Sequence, residues 1–300
     1  MALAGAGFDA GRPDDAVPAD GPGRSARLRG ELRRHPSLLV GGVLAAATVI
    51  VAIAGHVAPP DNPLAINPGH ALAPPGPGHW FGTDQFGRDV FSRVLYGLGI
   101  DVVIGLTVAA LAFAVGSAAG LVSGYLGGWI DDIVMRVVDI VMSFPPFLLA
   151  LAIAVVLGNT VRNVIIAVTI AYVPYILRLT RASVLTARGA DYVLGARAVG
   201  ASRSRVMTLH VLPNAVGPSV VQATLMAGWA ILDVSGLSFL GVGIQPPSPE
   251  LGVQVAQGAP YITSGQWWIS VFPGLAIILA VLAFNFLGDY ADDRLRGQGS

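Results

Sequence analysis

The side chains that most often carry chemistry are missing from this sequence or scattered along it. Cysteine is absent, which removes disulfides, thiolate metal sites, Fe–S clusters and cysteine nucleophiles together. All 18 basic residues are arginine. Without lysine there is no Walker A lysine, no Schiff base and no serine–lysine dyad. The 5 histidines lie mostly in tails or outer loops without carboxylates spaced to serve them, and no nucleophile, base and oxyanion donors cluster. An intramembrane enzyme is therefore the weakest of the functional readings. Two places keep polar residues in an informative setting. Asp233 stands alone inside a long apolar run, and residues 180–214 form an arginine-rich segment between two such runs.

An ionised carboxylate at bilayer depth costs about 2.5–3.5 kcal/mol on insertion scales unless it meets water or a partner. Asp233 is thus either a group on a wet translocation path, meeting for instance a cationic amino end, or half of a buried helix–helix hydrogen bond. In the arginine-rich segment, Ser183 to Val199 reads as helix and Gly200 as its stop. Arg188, Arg197, Arg203 and Arg205 surround the small residues Gly195, Ala196, Ala198 and Ala201, and Pro213 breaks the chain beyond them. A low-profile helix with a basic flank suits docking into a partner's groove. A solvated loop would share the charge but would not explain the small residues. His210 has no metal-ligand companion within its helix and reads as a structural polar residue.

The elements that must hold these residues are membrane spans. The chain is 54% hydrophobic and only 12% charged, whereas soluble domains carry about 25% charged residues. The 18 acidic residues cancel the 18 basic ones, so no basic excess points to nucleic acid. Apolar runs of roughly 20 residues begin with Leu38–Ala58 and Ile100–Gly124. A third starts amphipathically at Ile130 and turns wholly apolar after Pro145-Pro146, ending near Gly158. Three more cover Val164–Leu179 (broken by Pro174), Val216–Val242 and Trp268–Leu287. Six spans with both ends inside put fifteen arginines on the inner side and three (Arg88, Arg93 and Arg162) outside, as the positive-inside rule requires.

Around the spans, residues 1–35 read as a disordered cytoplasmic tail with a basic juxtamembrane end, and 291–300 as a second cytoplasmic tail. Residues 59–98 read as an extracytoplasmic loop, proline-rich at first and then an amphipathic elbow. Phe86, Val90, Phe91, Val94 and Leu95 share one face of that elbow, Arg88, Asp89, Ser92 and Arg93 lie mainly on the other, and Thr83 or Asp84 caps it. Gly116, Gly120, Gly124 and Gly128 form a stripe for close helix approach, either within the chain or toward a pore or another subunit. Arg136 and Asp139, three apart, are spaced to pair on one helix face.

Residues 180–214 resemble the inner loop of bacterial ABC-importer permeases, whose pattern runs Glu-Ala-Ala, Gly and Leu-Pro at fixed spacing. Ala196, Gly200 and Leu212-Pro213 fall on it, and Leu194 stands where relatives commonly have Glu. The segments FGTDQFGRDVFSRVLYG at 81–97, GLSFLGVGIQPPSPELG at 236–252 and FPGLAIILAVLAFNFLGD at 272–289 narrow the likeness to the C-type permease of dipeptide, oligopeptide and nickel importers. That resemblance implies an all-α polytopic protein with six transmembrane helices in the type I importer fold, its core at 99–290 and its coupling loop at 183–213. It implies a multi-pass chain of the cytoplasmic membrane, surrounded by lipid and paired with a homologous B-type permease. Two cytoplasmic ATPases would carry ATP and Mg, an extracytoplasmic binding protein would deliver the ligand, and this chain would bind no cofactor and no metal. Asp191, Tyr192, Gly195, Ala196, Arg197, Gly200, Ala201 and Arg205 are the implied ATPase contacts. Nickel or another small solute is the alternative cargo, and a self-contained channel the alternative class. Spans holding only Asp233 and the marginal His56 and Asp101 favour peptides over nickel.

Overall fold

A computed structural model describes the backbone of residues 36–297 and side-chain environments from 42 to 293. The expectations for the tail at 1–35 and for residues 298–300 lie outside it. Among the described residues the chain is helical, with only two isolated β-bridges. The long helices are α1 (Pro36–Val57), α2 (Val90–Leu126), α3 (Gly128–Met142), α4 (Pro146–Leu157) and α5 (Val161–Ala187). Short helices α6 (Asp191–Ala198), α7 (Arg203–Val206) and α8 (Leu212–Ala215) follow, with a π turn at Met207–Val211 between the last two. Then come α9 (Gly217–Phe239), α10 (Leu251–Gly258) and α11 (Trp268–Gly297).

α2, α5, α9 and α11 are each long and apolar enough to cross a membrane. α3 and α4 make a fifth crossing if taken together, bent by 89° at the break. The bend has a local cause: Pro145 and Pro146 lack N–H donors, and each disfavours helical backbone in the residue before it. α1 is a shorter apolar helix over Gly42–Val57, so among the described residues four or five of the six expected spans have the length and composition of a crossing. Pro174 does not end its helix, and α5 runs through it for 27 residues.

The glycine stripe faces inward. A Cβ at Gly116 would lie 2.7 Å from Ile176 Cβ, one at Gly120 2.5 Å from Leu177 O, and one at Gly124 3.0 Å from Arg181 O. Three of the four glycines therefore seat α2 on α5 within this chain. Gly128 lies beyond the helix end with φ +60° and open space around it. A core of Ile104, Val108, Val168, Ile176, Ala230 and Leu237 fills the space between α2, α5 and α9. A second, including Val94, Ile231, Ile269 and Phe284, joins α2 and α9 to α11.

The segment at 81–98 departs from the expected elbow. Its helix begins only at Val90, where the Asp89 carboxylate accepts from Ser92 N at 2.7 Å, so neither Thr83 nor Asp84 is the cap. Arg88, Asp89, Ser92 and Arg93 do not form a wet face either; all are buried. Asp84 accepts from Arg88 Nε at 2.6 Å and lies 3.6 Å from Arg93 Nε, and Arg93 donates to Pro63 O at 2.9 Å. Charges that satisfy one another stay inside. Nor does Asp139 pair with Arg136: Arg178 of α5 reaches it at 2.7 Å.

Candidate functional site

The arginine-rich segment is built as an outward-facing platform on a rigid base. α5 stops at Ala187 instead of running to Val199, and a turn at 188–190 separates it from α6. The base is fixed by polar ties. Arg181 holds Asp131 of α3 through two N–H···O bonds of 2.5 Å, Ser123 also donates to Asp131, and Arg188 Nη1 donates to Gly124 O at 2.8 Å. Beneath α6, the buried side chains of Val193, Val206 and Val211 pack with Leu121 and Tyr125 of α2.

α6 closes as the sequence predicts. Gly200 has φ +83°, and the N–H of Ala201 reaches back to Ala196 O at 3.1 Å, which is how a left-handed glycine ends a helix. Asp191 occupies the first turn, where its charge complements the helix dipole. Asp191, Tyr192, Gly195, Arg197, Gly200 and Arg205 are exposed, whereas Ala196 and Ala201 are half-buried against the base. A Cβ at Gly195 or Gly200 would meet nothing within 4 Å. The Arg197 guanidinium lies 5.2 Å from the centroid of the Tyr125 ring. His210 sits in the π turn, its carbonyl accepting from Asn214 Nδ2 at 2.7 Å.

Sequence reasoning named Leu194 only as standing where relatives carry Glu, and passed over Val199. Leu194 is 51% exposed and Val199 86%, so an apolar strip accompanies the small residues.

Asp233 has a partner and an opening. The Tyr172 O–H of α5 donates to Asp233 Oδ2 at 2.8 Å, and the half-buried carboxylate borders a cavity of about 370 Å³ walled by Phe147, Tyr175, Met226 and Trp229. The cavity thus lies between α4, α5 and α9. Asp101, by contrast, is buried and accepts from Leu251 N at 3.3 Å. That contact belongs to α10, a short helix the sequence reading did not separate from its surroundings. Glu250 caps α10, accepting from Gly252 N at 2.9 Å and Val253 N at 2.8 Å. Among the described residues no three His, Asp or Glu side chains converge as a metal site.

Residues 116–297 match the family described as the binding-protein-dependent transport system inner membrane component. The dipeptide transport system permease DppC of Alkalihalophilus pseudofirmus is 38% identical over 283 residues, covering 94% of this chain and 92% of that protein. A putative peptide transport system permease of Brucella abortus is 43% identical over 272 residues, covering 89% and 91%. The probable D,D-dipeptide transport system permease DdpC of Escherichia coli is 40% identical over 270 residues, covering 90% of each. A crystal structure of an amino acid ABC transporter aligns with a TM-score of 0.48 and 16% identity, over 67% of this chain and 94% of that one.

Proposed function

From the premise that this chain belongs to the binding-protein-dependent transport system inner membrane components, we propose that it imports dipeptides or oligopeptides as one half of a paired permease. The peptide cargo is supported by relatives alike over nine-tenths of their length. The other half would be a homologous B-type permease. Two ATPases bind ATP and Mg beneath the permease pair, one of them docking on α6, and an extracytoplasmic protein delivers the peptide. Both termini lie in the cytoplasm, as the arginine distribution asks.

One observation carries the mechanism. The platform is joined in sequence to α5 on one side and, through the π turn and α8, to α9 on the other. Those two helices are joined by the Tyr172–Asp233 hydrogen bond at the border of the cavity. A displacement of α6 by closing ATPases therefore acts on both walls at once, and the stiff ties of Arg181 and Arg188 pass it to α2 and α3 rather than letting the turn at 188–190 absorb it. ATP favours the outward-facing state because it binds the closed ATPase pair better; hydrolysis releases that bias.

Two measurements test the proposal. Uptake of labelled peptide into vesicles should require this chain, its partner permease, both ATPases and the binding protein together. The purified chain alone should bind no nucleotide. A self-contained channel would pass solute without the ATPases, and a nickel carrier would take up the metal and ignore peptides; either result overturns the assignment.

A further inference from the structure

The inner surface treats its arginines in two ways. Arg178, Arg181 and Arg188 are engaged within the chain, on Asp139, Asp131 and Gly124 O. Arg197, Arg203 and Arg205 have no carboxylate within ion-pair distance among the described residues. Between residues 188 and 214 the single acid is Asp191, at the opposite end of α6 from Arg197. Two of the three unmatched arginines, Arg197 and Arg203, line a recess of about 440 Å³ together with Tyr125, Leu126 and Ala201. The recess contains no acid of its own.

Building on the docking role proposed above for α6, we infer that this recess receives a carboxylate side chain from the partner ATPase. The geometry suits a carboxylate. Arg197 lies over the Tyr125 ring, a cation–π contact that leaves the N–H edge of the guanidinium free. A guanidinium offers two parallel N–H donors to a carboxylate, and a ring beneath it lowers the entropy lost when the pair forms. Arg203, in the first turn of α7, supplies a second positive charge at the same opening. The exposed apolar residues Leu194 and Val199, on the same docking segment, would be covered by the same partner and would help exclude water, which strengthens the pair. The partner that fits is therefore an apolar groove with an acid at its centre.

Binding of the ATPases to the permease pair in nanodiscs of zwitterionic lipid, followed across salt concentration, tests the inference. The unaltered complex should weaken as salt rises, because the docking pair is electrostatic. Arg197→Gln with Arg203→Gln should bind about tenfold more weakly at low salt and lose most of the salt dependence. Arg197→Lys with Arg203→Lys should restore the salt dependence but only part of the affinity, because an ammonium lacks the paired N–H edge, and Tyr125→Leu, which keeps both charges, should cost less than the double Gln change. Unfolding temperatures of the variants separate lost docking from lost structure. If the double Gln variant binds with unchanged affinity and salt slope while Gly200→Trp still blocks docking, the recess takes no acid and the inference falls alone. If Gly200→Trp also binds normally, the docking role of α6 falls with it. An arginine effect that appears only in nanodiscs containing anionic lipid assigns the recess to a lipid headgroup and overturns the inference.

Discussion

Small residues line both the α2–α5 seam and the α6 platform, and the structure uses them in opposite ways. At Gly116, Gly120 and Gly124 an added Cβ would meet the backbone or side chains of α5 at 2.5–3.0 Å. There glycine lets two helices touch, and close packing replaces the hydrophobic drive that lipid does not supply. At Gly195 and Gly200 an added Cβ meets nothing within 4 Å. There glycine keeps a surface low while its own chain leaves the surface uncovered. A run of small residues thus encodes closeness, and only the neighbours reveal whether the close partner is the same chain or another.

The largest effect should come from closing the seam. Gly120→Leu forces a side chain into Leu177 O and Thr180, and overpacking of this kind costs about 3 kcal/mol where backbone is the obstacle. The yield of monodisperse protein and its unfolding temperature should both collapse; normal values would mean the seam is looser than described. Gly200→Trp should do the reverse. Its side chain has room within the chain, so stability should fall by only about 1–2 kcal/mol for the left-handed backbone, while peptide uptake is lost at unchanged membrane insertion. Retained uptake would remove the platform's role and with it the contrast.

Asp233→Asn probes a third kind of place, a wall facing a cavity. Asparagine keeps the size and the Tyr172 hydrogen bond but not the charge. Uptake of peptides with a free amino end should drop about fivefold, matching about 1 kcal/mol of charge-assisted hydrogen bonding, and uptake of blocked peptides should hold. An unchanged ratio would leave Asp233 as a helix–helix partner of Tyr172, and failed assembly would assign it the same structural role. The smallest effect belongs to Gly195→Ala. In an exposed helix position alanine is favoured over glycine by about 1 kcal/mol, so stability should rise slightly and uptake change by less than about twofold. A large loss of uptake would show that the partner approaches α6 more closely than a methyl group allows.

The same contrast explains what the sequence disclosed. The long apolar runs and the stop at Gly200 follow from local chemistry and are where the sequence puts them, whereas Pro145-Pro146, read as lying inside one span, divides it into two helices bent by 89°. The outer elbow misled because a charge paired inside the protein and a charge facing water are spelled alike. Arg88, Asp89, Ser92 and Arg93 have the spacing of a wet helix face, yet all are buried and Arg88 donates to Gln257, 169 positions away, at 3.2 Å. Asp139 likewise has Arg136 at pairing distance in sequence and Arg178 at pairing distance in space. α10 was hidden for another reason. Its cap is a glutamate, outside the usual Ser, Thr, Asp and Asn, and only 8 residues follow it.

One dimension of the molecule sets its reach. The 37 residues of α2 extend about 55 Å at 1.5 Å per residue, against about 30 Å of hydrocarbon in a bilayer. Tilt uses some of that surplus; the rest carries the rod out of the oil at both ends. Arg93, in its first turn, holds the outer loop at Pro63, and Gly124, in its last, receives Arg188 from the inner one. One uninterrupted ladder of backbone hydrogen bonds thus fastens the two faces of the membrane together, so a push on the outer loop and a pull on the inner one are felt by the same object without passing through the cavity.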